Sequence, residues 1–181
     1  MQLLERVRET EFLGNEFLVW LWFRAETDRG AFDLGKRGTA EIWFDGKITL
    51  RSETERGVET ITCTSQTANM KEARFALAED KKIVQAALKL DIGDDQWSFV
   101  IDSTWMNFRT LRTPKVHQDI KEDPDGVFYE KIFLIEEAVS AMDQIYQLFI
   151  ELRVSPEWTT REHPALVKWI GEGKHPDPET H

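Results

Sequence analysis

The residues best suited to chemistry lie in the segment 103–118, which carries no acidic side chain. The whole chain has 33 Asp and Glu against 23 Lys and Arg, so the absence of carboxylates is a local property of this segment. The segment contains Arg109, Arg112 and Lys115, together with Trp105. Such cations contact phosphates, and aromatic rings stack on bases. The segment is therefore a candidate site for a polyanion; the alternative is a surface strand of accidental composition.

Four more cations lie on or just after a predicted helix in the middle of the chain. Acidic neighbours at positions 72, 79 and 80 dilute their charge. If this helix and the last strand converge, about seven positive charges form one track that contacts phosphates without reading bases. We expect the track to bind DNA, duplex or single-stranded, with no sequence preference. The candidate nucleic-acid-binding residues are Lys71, Arg74, Lys81, Lys82, Arg109, Arg112, Lys115 and Trp105.

Signals for catalysis are weaker. Asp94, Asp95 and Asp102 lie around one predicted hairpin, and nucleases bind divalent metals with carboxylates. Acidic residues in turns are normally solvated, however, so a metal-dependent nuclease is the least favoured hypothesis. The four histidines show no metal-ligand spacing, the lone Cys63 lies in a Thr-rich strand, and no glycine-rich phosphate loop is present. We expect no catalytic residue, no metal and no cofactor.

The composition is typical of one soluble globular domain. A chain of 181 residues can bury a substantial core, and 41% hydrophobic with 31% charged residues excludes a disordered chain. The longest apolar run, residues 17–23, is far shorter than the roughly 20 residues that cross a bilayer. One cysteine allows no internal disulfide. We expect a cytoplasmic protein without a membrane partner, associated with the nucleoid if it binds DNA.

The first part of the chain predicts a helix and a hairpin. The helix covers residues 11–26, and its apolar residues fall on nearly every side, so it is buried in the core or covered by another subunit. The hairpin turns at residues 45–46 through a three-residue loop with a left-handed glycine. That loop pairs Ile42 with Ile48 and gathers the aliphatic side chains on one face.

The middle of the chain predicts strands around a second helix. Met70, Ala73 and Leu77 form the inward stripe of that helix. Apolar and polar residues alternate in the two strands that follow it. The predicted elements are a strand at 58–64, the helix at 67–80, strands at 86–92 and 97–101, and a strand within 103–113 that Pro114 ends.

The clearest element is a long helix over residues 127–154, after a predicted turn at 123–126. Two adjacent apolar rows give it a face wide enough to cover a sheet. The first row is Phe128, Ile132, Ile135, Val139, Met142, Tyr146 and Phe149; the second is Leu134, Ala138, Ala141, Ile145, Leu148 and Leu152. The order of elements predicts an α+β fold. We expect one domain over residues 1–170, with a mostly antiparallel sheet of about six strands packed against this helix and the N-terminal aromatic helix, and a flexible tail over residues 171–181.

From Lys71 onward the chain resembles the family of the recombination-associated protein RdgC. The resemblance lies in a helix that ends at Lys81-Lys82, an apolar strand over residues 83–90, and the run 97–101 with its Ser-Phe-Val core. A strand that ends in Leu111-Arg112 follows, and then the long amphipathic helix.

The resemblance implies a DNA-binding protein without sequence preference. RdgC-type proteins form a dimeric ring around duplex DNA and restrain recombinase loading, and some are labelled putative exonucleases. This chain is much shorter than full-length members. Lys82 and Arg112 match basic positions of the family pattern. We therefore expect DNA binding near recombination or replication without catalysis, with a homodimer as a possible assembly; the alternative is a protein–protein interaction module with no DNA affinity.

Overall fold

Alternating apolar residues build one antiparallel sheet, and helices cover one of its faces. The computed structural model describes residues 3–55, 57–64, 70–117 and 121–173, and within them it contains six strands and four α-helices. The predicted α+β class is confirmed. The elements are α1 (Leu3–Thr27), β1 (Ala31–Asp33), a 3-10 turn (Gly35–Arg37), β2 (Thr39–Thr54), β3 (Gly57–Thr64), α2 (Lys71–Ala78), β4 (Lys82–Ile92), β5 (Asp95–Asp102), β6 (Phe108–Arg112), α3 (Pro124–Arg153), a π-helical turn (Trp158–Glu162) and α4 (His163–Glu172).

The sheet has the strand order β1-β2-β4-β5-β6, with β3 also paired to β2. All its pairings are antiparallel. The start of β2 pairs with β1 and its end pairs with β3, so these two short partners share one edge of the long strand. β6 forms the opposite edge of the sheet.

The predicted hairpin at residues 45–46 is wrong, because β2 continues through it. Phe44 pairs with Leu88 and Ile48 pairs with Ala86, so three residues of β2 face one residue of β4. Gly46 adopts a left-handed conformation (φ 67°) inside this bulge. The bulge adds two residues, which preserves the alternation of the strand. The aliphatic side chains of both halves therefore share the inner face, as expected, although β4 rather than a hairpin arm is their partner.

Helix α1 is longer than predicted and lies in the core of its own chain. Residues 17–23 are all buried, so the alternative of a subunit contact through them is excluded. The Trp22 ring lies 5.3 Å from the Trp169 ring of α4, and Phe17 lies 5.6 Å from Phe149 of α3. The Trp20 Nε1 group donates to the buried Glu162 carboxylate at 2.8 Å. These contacts join α1 to both C-terminal helices.

Helix α3 begins at Pro124 rather than after a turn. Asp123 is its N-cap and accepts a hydrogen bond from the Gly126 amide at 2.9 Å, and proline fits the first helical position. The Trp97 indole of β5 donates to the Leu134 carbonyl oxygen at 2.9 Å, which fixes α3 over β5. The second apolar row supplies Ala138, Ala141 and Ile145 to the core. The first row is buried only in its C-terminal part.

The remaining boundaries differ modestly from the predictions. The inward stripe of α2 is buried as expected, and residues 65–69 of that predicted helix lie outside the described residues. The strand expected within 103–113 is shortened to β6, because Asp102 Oδ1 accepts from the Thr104 and Trp105 amides and holds a turn there. Helix α4 extends to Glu172, two residues into the segment predicted as a tail, and residues 174–181 lie outside the described part of the chain.

Candidate nucleic-acid interface

The cations of α2 do not form a free basic surface. The Arg74 guanidinium donates to the Trp169 carbonyl oxygen at 2.9 Å and lies 4.7 Å from the centre of the Trp169 ring. It also pairs with Glu26 of α1 at 3.5 Å and with Glu172 of α4 at 3.4 Å. Arg74 thus ties α2 to two other helices. Lys71, at the start of α2, is exposed.

The two lysines after α2 lie in a region of mixed charge. Lys81 forms an ion pair with Glu59 of β3, and this hydrogen bond lowers the pKa of the Glu59 carboxyl. Lys82 is exposed at the first position of β4, opposite Arg51 of β2. These three cations line a cavity of about 460 Å³ together with four acidic residues. The acids are Glu53, Glu59, Glu79 and Asp80. The cavity therefore has no excess of positive charge for a polyanion.

The cations of the acid-free segment are more accessible. Arg109 pairs with Asp102 at 3.3 Å and remains exposed. Arg112 and Lys115 are exposed and form no ion pair with any described residue. Trp105 lies in the turn before β6 and is 63% exposed. These four side chains are accessible to a ligand at the β6 edge of the sheet.

The structure does not bring the two groups of cations into one track. Helix α2 packs against β2 and β3, whereas β6 is the opposite edge of the sheet. Four strand spacings separate β3, where Lys81 is paired, from β6, or roughly 19 Å at about 4.8 Å per strand, and Lys82 on β4 lies two spacings from β6. The role of each cation in nucleic-acid binding stays a prediction. The group around Arg109, Arg112 and Lys115 is the one with access to a broad surface.

That broad surface is the face of the sheet opposite the described helices, which we call the open face. The inward residues of β2, β4 and β5 belong to the hydrophobic core, while their outward neighbours, apart from the buried Asp102, are half-exposed or exposed. The pairing registers place four outward residues in one row across the sheet. Trp43 of β2 pairs with Lys89 of β4, Lys89 pairs with Ser98 of β5, and Ser98 pairs with Arg112 of β6. Trp43 is 40% exposed.

A second row of the open face has small side chains between cations. Ala87 of β4 pairs with Val100 of β5, which pairs with Arg109 of β6. Lys47, the last of the three β2 residues in the bulge, is exposed on the β2 side. In the next row the Thr49 and Thr62 hydroxyls lie 3.3 Å apart. The centre of the open face is therefore lined by small side chains, with cations at both of its sides.

Nearby carboxylates neutralise part of the positive charge of the open face. Asp45 pairs with Lys89 at 3.1 Å, and Asp102 pairs with Arg109. At one end of the face Glu41 lies opposite Asp91, so that end is negative. The positive part of the open face is the half that contains Trp43, Lys47, Lys89, Arg109 and Arg112.

The sequence alone does not identify Trp43, Lys47 or Lys89 as site residues. Their only signal is that each lies at an outward position of an alternating strand. Cross-strand neighbours depend on register, and the predicted register is wrong where β2 continues through the bulge.

The residues that the structure describes offer no metal site for the nuclease hypothesis. Asp94 lies in the tight turn between β4 and β5, Asp95 is the first residue of β5, and Asp102 is engaged by Gln85, Arg109 and two backbone amides. Within residues 3–55, 57–64, 70–117 and 121–173, no group of three or more His, Cys, Asp or Glu could hold a metal ion.

Cys63 is also poorly placed for nucleophilic chemistry. It faces the core from β3, and its burial raises the pKa of the thiol, with a smaller contribution from Glu72. A raised pKa lowers the fraction of thiolate at neutral pH, and the thiolate is the reactive form.

Comparison with models of known protein families and with curated proteins gives no match for this chain. In the described ranges no helix is long and apolar enough to span a membrane.

Proposed function

We propose that this protein binds nucleic acid without sequence preference through the positive half of the open face. The observation that carries the proposal is the row Trp43–Lys89–Ser98–Arg112, which combines an exposed ring, two cations and a hydroxyl on one accessible surface. Cations and hydroxyls contact phosphate oxygens, which carry no sequence information. The resemblance to RdgC proteins supports a role in the cytoplasm near DNA recombination or replication, without catalysis.

Single-stranded nucleic acid is the favoured ligand within this proposal. An exposed Trp43 ring stacks on a base only where the base is unpaired, and such stacking contributes about 1–3 kcal/mol per base. Trp105 and Lys115 extend the contact beyond the β6 edge. Lys71 and Arg74 lie on α2 and Lys81 is paired with Glu59, so we expect these three cations to contribute little. Lys82, at the first position of β4, lies beside the acidic residues of the cavity, and we expect it to contribute little as well.

Binding of this kind is weak and depends strongly on salt. Lys89 and Arg109 each share their charge with a carboxylate, and the whole chain carries a net charge of −10. Each phosphate neutralised on a single strand contributes about 0.7 to the slope of log K against log salt. The affinity is therefore expected to be measurable only at low ionic strength.

The test is a titration of a fluorescein-labelled oligo-dT at several salt concentrations, followed by anisotropy. The variant Lys47→Glu with Arg112→Glu should flatten the salt slope by about 1.4, because two single-strand phosphate contacts are lost. The matched control is Arg161→Glu with Lys168→Glu, which changes net charge equally at exposed positions of the C-terminal helical region. Equal effects of the two variants, or no binding at low salt, would contradict the proposal.

Trp43→Ala separates the two kinds of nucleic acid in the same experiment. It should weaken binding of the single strand about 5- to 150-fold, which corresponds to the stacking energy of one base. Binding of a duplex of equal length should change little.

A protein–protein interaction is the second candidate function, and an exposed apolar surface on α3 favours it.

A further inference from the structure

Large apolar side chains are exposed along the N-terminal half of α3. Phe128, Ile132, Ile135 and Val139 recur at spacings of four, three and four, with Tyr129 and Phe133 beside them. We call these six residues the α3 stripe. Their side chains are between 37% and 69% exposed. Contiguous apolar surface of this kind marks an interaction site on a soluble protein.

The helix geometry explains why this row leaves the core. Met142 and Phe149 of the same apolar row are buried, while Phe128 and Val139 are exposed. The row repeats every seven residues, and a straight α-helix drifts by about 20° per heptad relative to that repeat. Three heptads separate Phe149 from Phe128, so the row turns by roughly 60° from the core toward solvent. A heptad row is the pattern that a second helix recognises.

A small apolar cavity continues the α3 stripe toward the sheet. Its volume is about 140 Å³, and Val139 belongs both to its wall and to the stripe. Met142, Asp143 and Tyr146 of α3 form one side, and Ile101 of β5, Met106 and the first residue of β6, Phe108, form the other. The cavity has room for one apolar side chain of a partner. Such pockets hold the anchor residues that dominate binding energy in interfaces.

Acidic side chains lie on the same face of α3. Asp125, Glu136 and Asp143 fall within about 40° of Ile132 around the helix axis, at 100° per residue. All three are exposed, and none forms an ion pair with a described residue. Lys131 is the one cation of this helical segment, 124–143, and it lies on the flank toward the core. A second copy of the chain would place these acids against one another, whereas a basic partner would pair with them.

We propose that the α3 stripe binds an amphipathic helix of another protein, with an apolar heptad row and a Lys- and Arg-rich rim. The partner helix lies alongside α3 and inserts one apolar residue into the cavity near Phe108. A whole aromatic side chain presents about 150–250 Å². The six partly exposed side chains of the stripe therefore expose roughly 600 Å² together. Interfaces of standard size bury about 800 Å² per partner, so the stripe supplies most of what a specific complex requires.

The proposal is tested with two designed peptides of identical apolar rows, one with Lys and one with Glu at the rim positions. Isothermal titration of the wild-type protein should show binding of the basic peptide at least tenfold tighter than binding of the acidic one. The variant Glu136→Lys with Asp143→Lys should reverse this preference. Both positions are exposed, so the fold is retained and circular dichroism verifies it.

The apolar contact is tested by Ile132→Asp with Ile135→Asp, which should weaken binding of the basic peptide at least tenfold. Leu148→Asp is the matched control, because Leu148 lies on the same helix and is 38% exposed, as Ile132 is 37%. Equal binding of both peptides, absence of binding, or equal effects of the two aspartate changes would overturn the proposal. A dimer in sedimentation that the Ile132→Asp, Ile135→Asp variant abolishes would assign the stripe to a second copy instead.

Discussion

Gly14 lies where α1 crosses the turn between β5 and β6. A Cβ atom placed on Gly14 would lie 1.8 Å from the Ser103 carbonyl oxygen, and that atom belongs to the backbone. Ser103 is buried and its amide donates to the Val84 carbonyl oxygen at 2.9 Å, so the turn cannot move away freely. The absence of a side chain at this one position thus sets how closely α1 approaches the sheet.

Gly14→Ala is expected to lower the free energy of unfolding by about 3 kcal/mol, the upper part of the range for overpacked cores. Gly171→Ala is the matched control, because Gly171 lies in α4 and a Cβ atom placed on it would meet no atom within 4 Å. It should raise stability by up to about 0.5 kcal/mol, since alanine favours helix more than glycine. Urea denaturation measures both. Equal stability of the two variants would show that α1 does not contact Ser103 this closely.

Some cations of this protein stabilise the fold through ion pairs. The sequence predicts Arg74 and Lys81 as phosphate contacts, yet each is held by a carboxylate from a distant part of the sequence. Arg74 and Glu26 are 48 residues apart, and Lys81 and Glu59 are 22 apart. Composition alone cannot distinguish a cation that is free for a ligand from one that has such a partner, because the pairing exists only in the folded chain.

At the scale of elements, the hydrophobic pattern of a segment predicts its structure where no distant part of the chain competes with that pattern. The alternation in β4 and β5 and the inward stripe of α2 predict their buried faces correctly. In β2 the same alternation predicts a hairpin, because Asp-Gly between apolar strands is a strong turn signal. The outcome there depends on β4, which is distant in sequence and pairs along nearly all of β2. Which of the two apolar rows of α3 is buried likewise depends on where the sheet lies.

The bulge in β2 allows a test of whether the alternation of inward and outward side chains, rather than the bulge itself, stabilises the strand. Deletion of Asp45 and Gly46 together removes two of the three residues that face Ala87, so Lys47 then pairs with Ala87 and every inward residue stays inward. We expect this variant to fold with stability within about 1 kcal/mol of wild type, the most that the exposed Asp45–Lys89 ion pair contributes.

Deletion of Gly46 alone is the control, and it should be far more damaging. It turns Ile48 and Leu50, both fully buried, toward the open face. The expected loss is about 3–6 kcal/mol, at 1.5–3 kcal/mol for each side chain. Urea denaturation with near-ultraviolet circular dichroism compares the two deletions. Similar losses in both would show that the bulge itself, rather than the parity of β2, stabilises the sheet.

At the scale of the whole molecule, the sheet separates two surfaces of different character. The open face combines cations with an exposed tryptophan, while the α3 stripe, on the helical side, combines apolar residues with acids. The two surfaces are therefore suited to ligands of opposite charge. The net charge of −10 opposes nucleic acid, so binding is confined to the positive half of the open face, and it favours a basic partner at the stripe.

Because the two surfaces share no side chain, changes at one should leave binding at the other intact. Lys47→Glu with Arg112→Glu should weaken the oligonucleotide and leave the affinity for the basic peptide within about twofold. Ile132→Asp with Ile135→Asp should do the reverse. Each ligand is titrated separately, since a basic peptide binds DNA by itself. If both variants weaken both ligands, then the sheet and α3 form one continuous binding surface, and the separation of a nucleic-acid face from a protein-binding helix has to be abandoned.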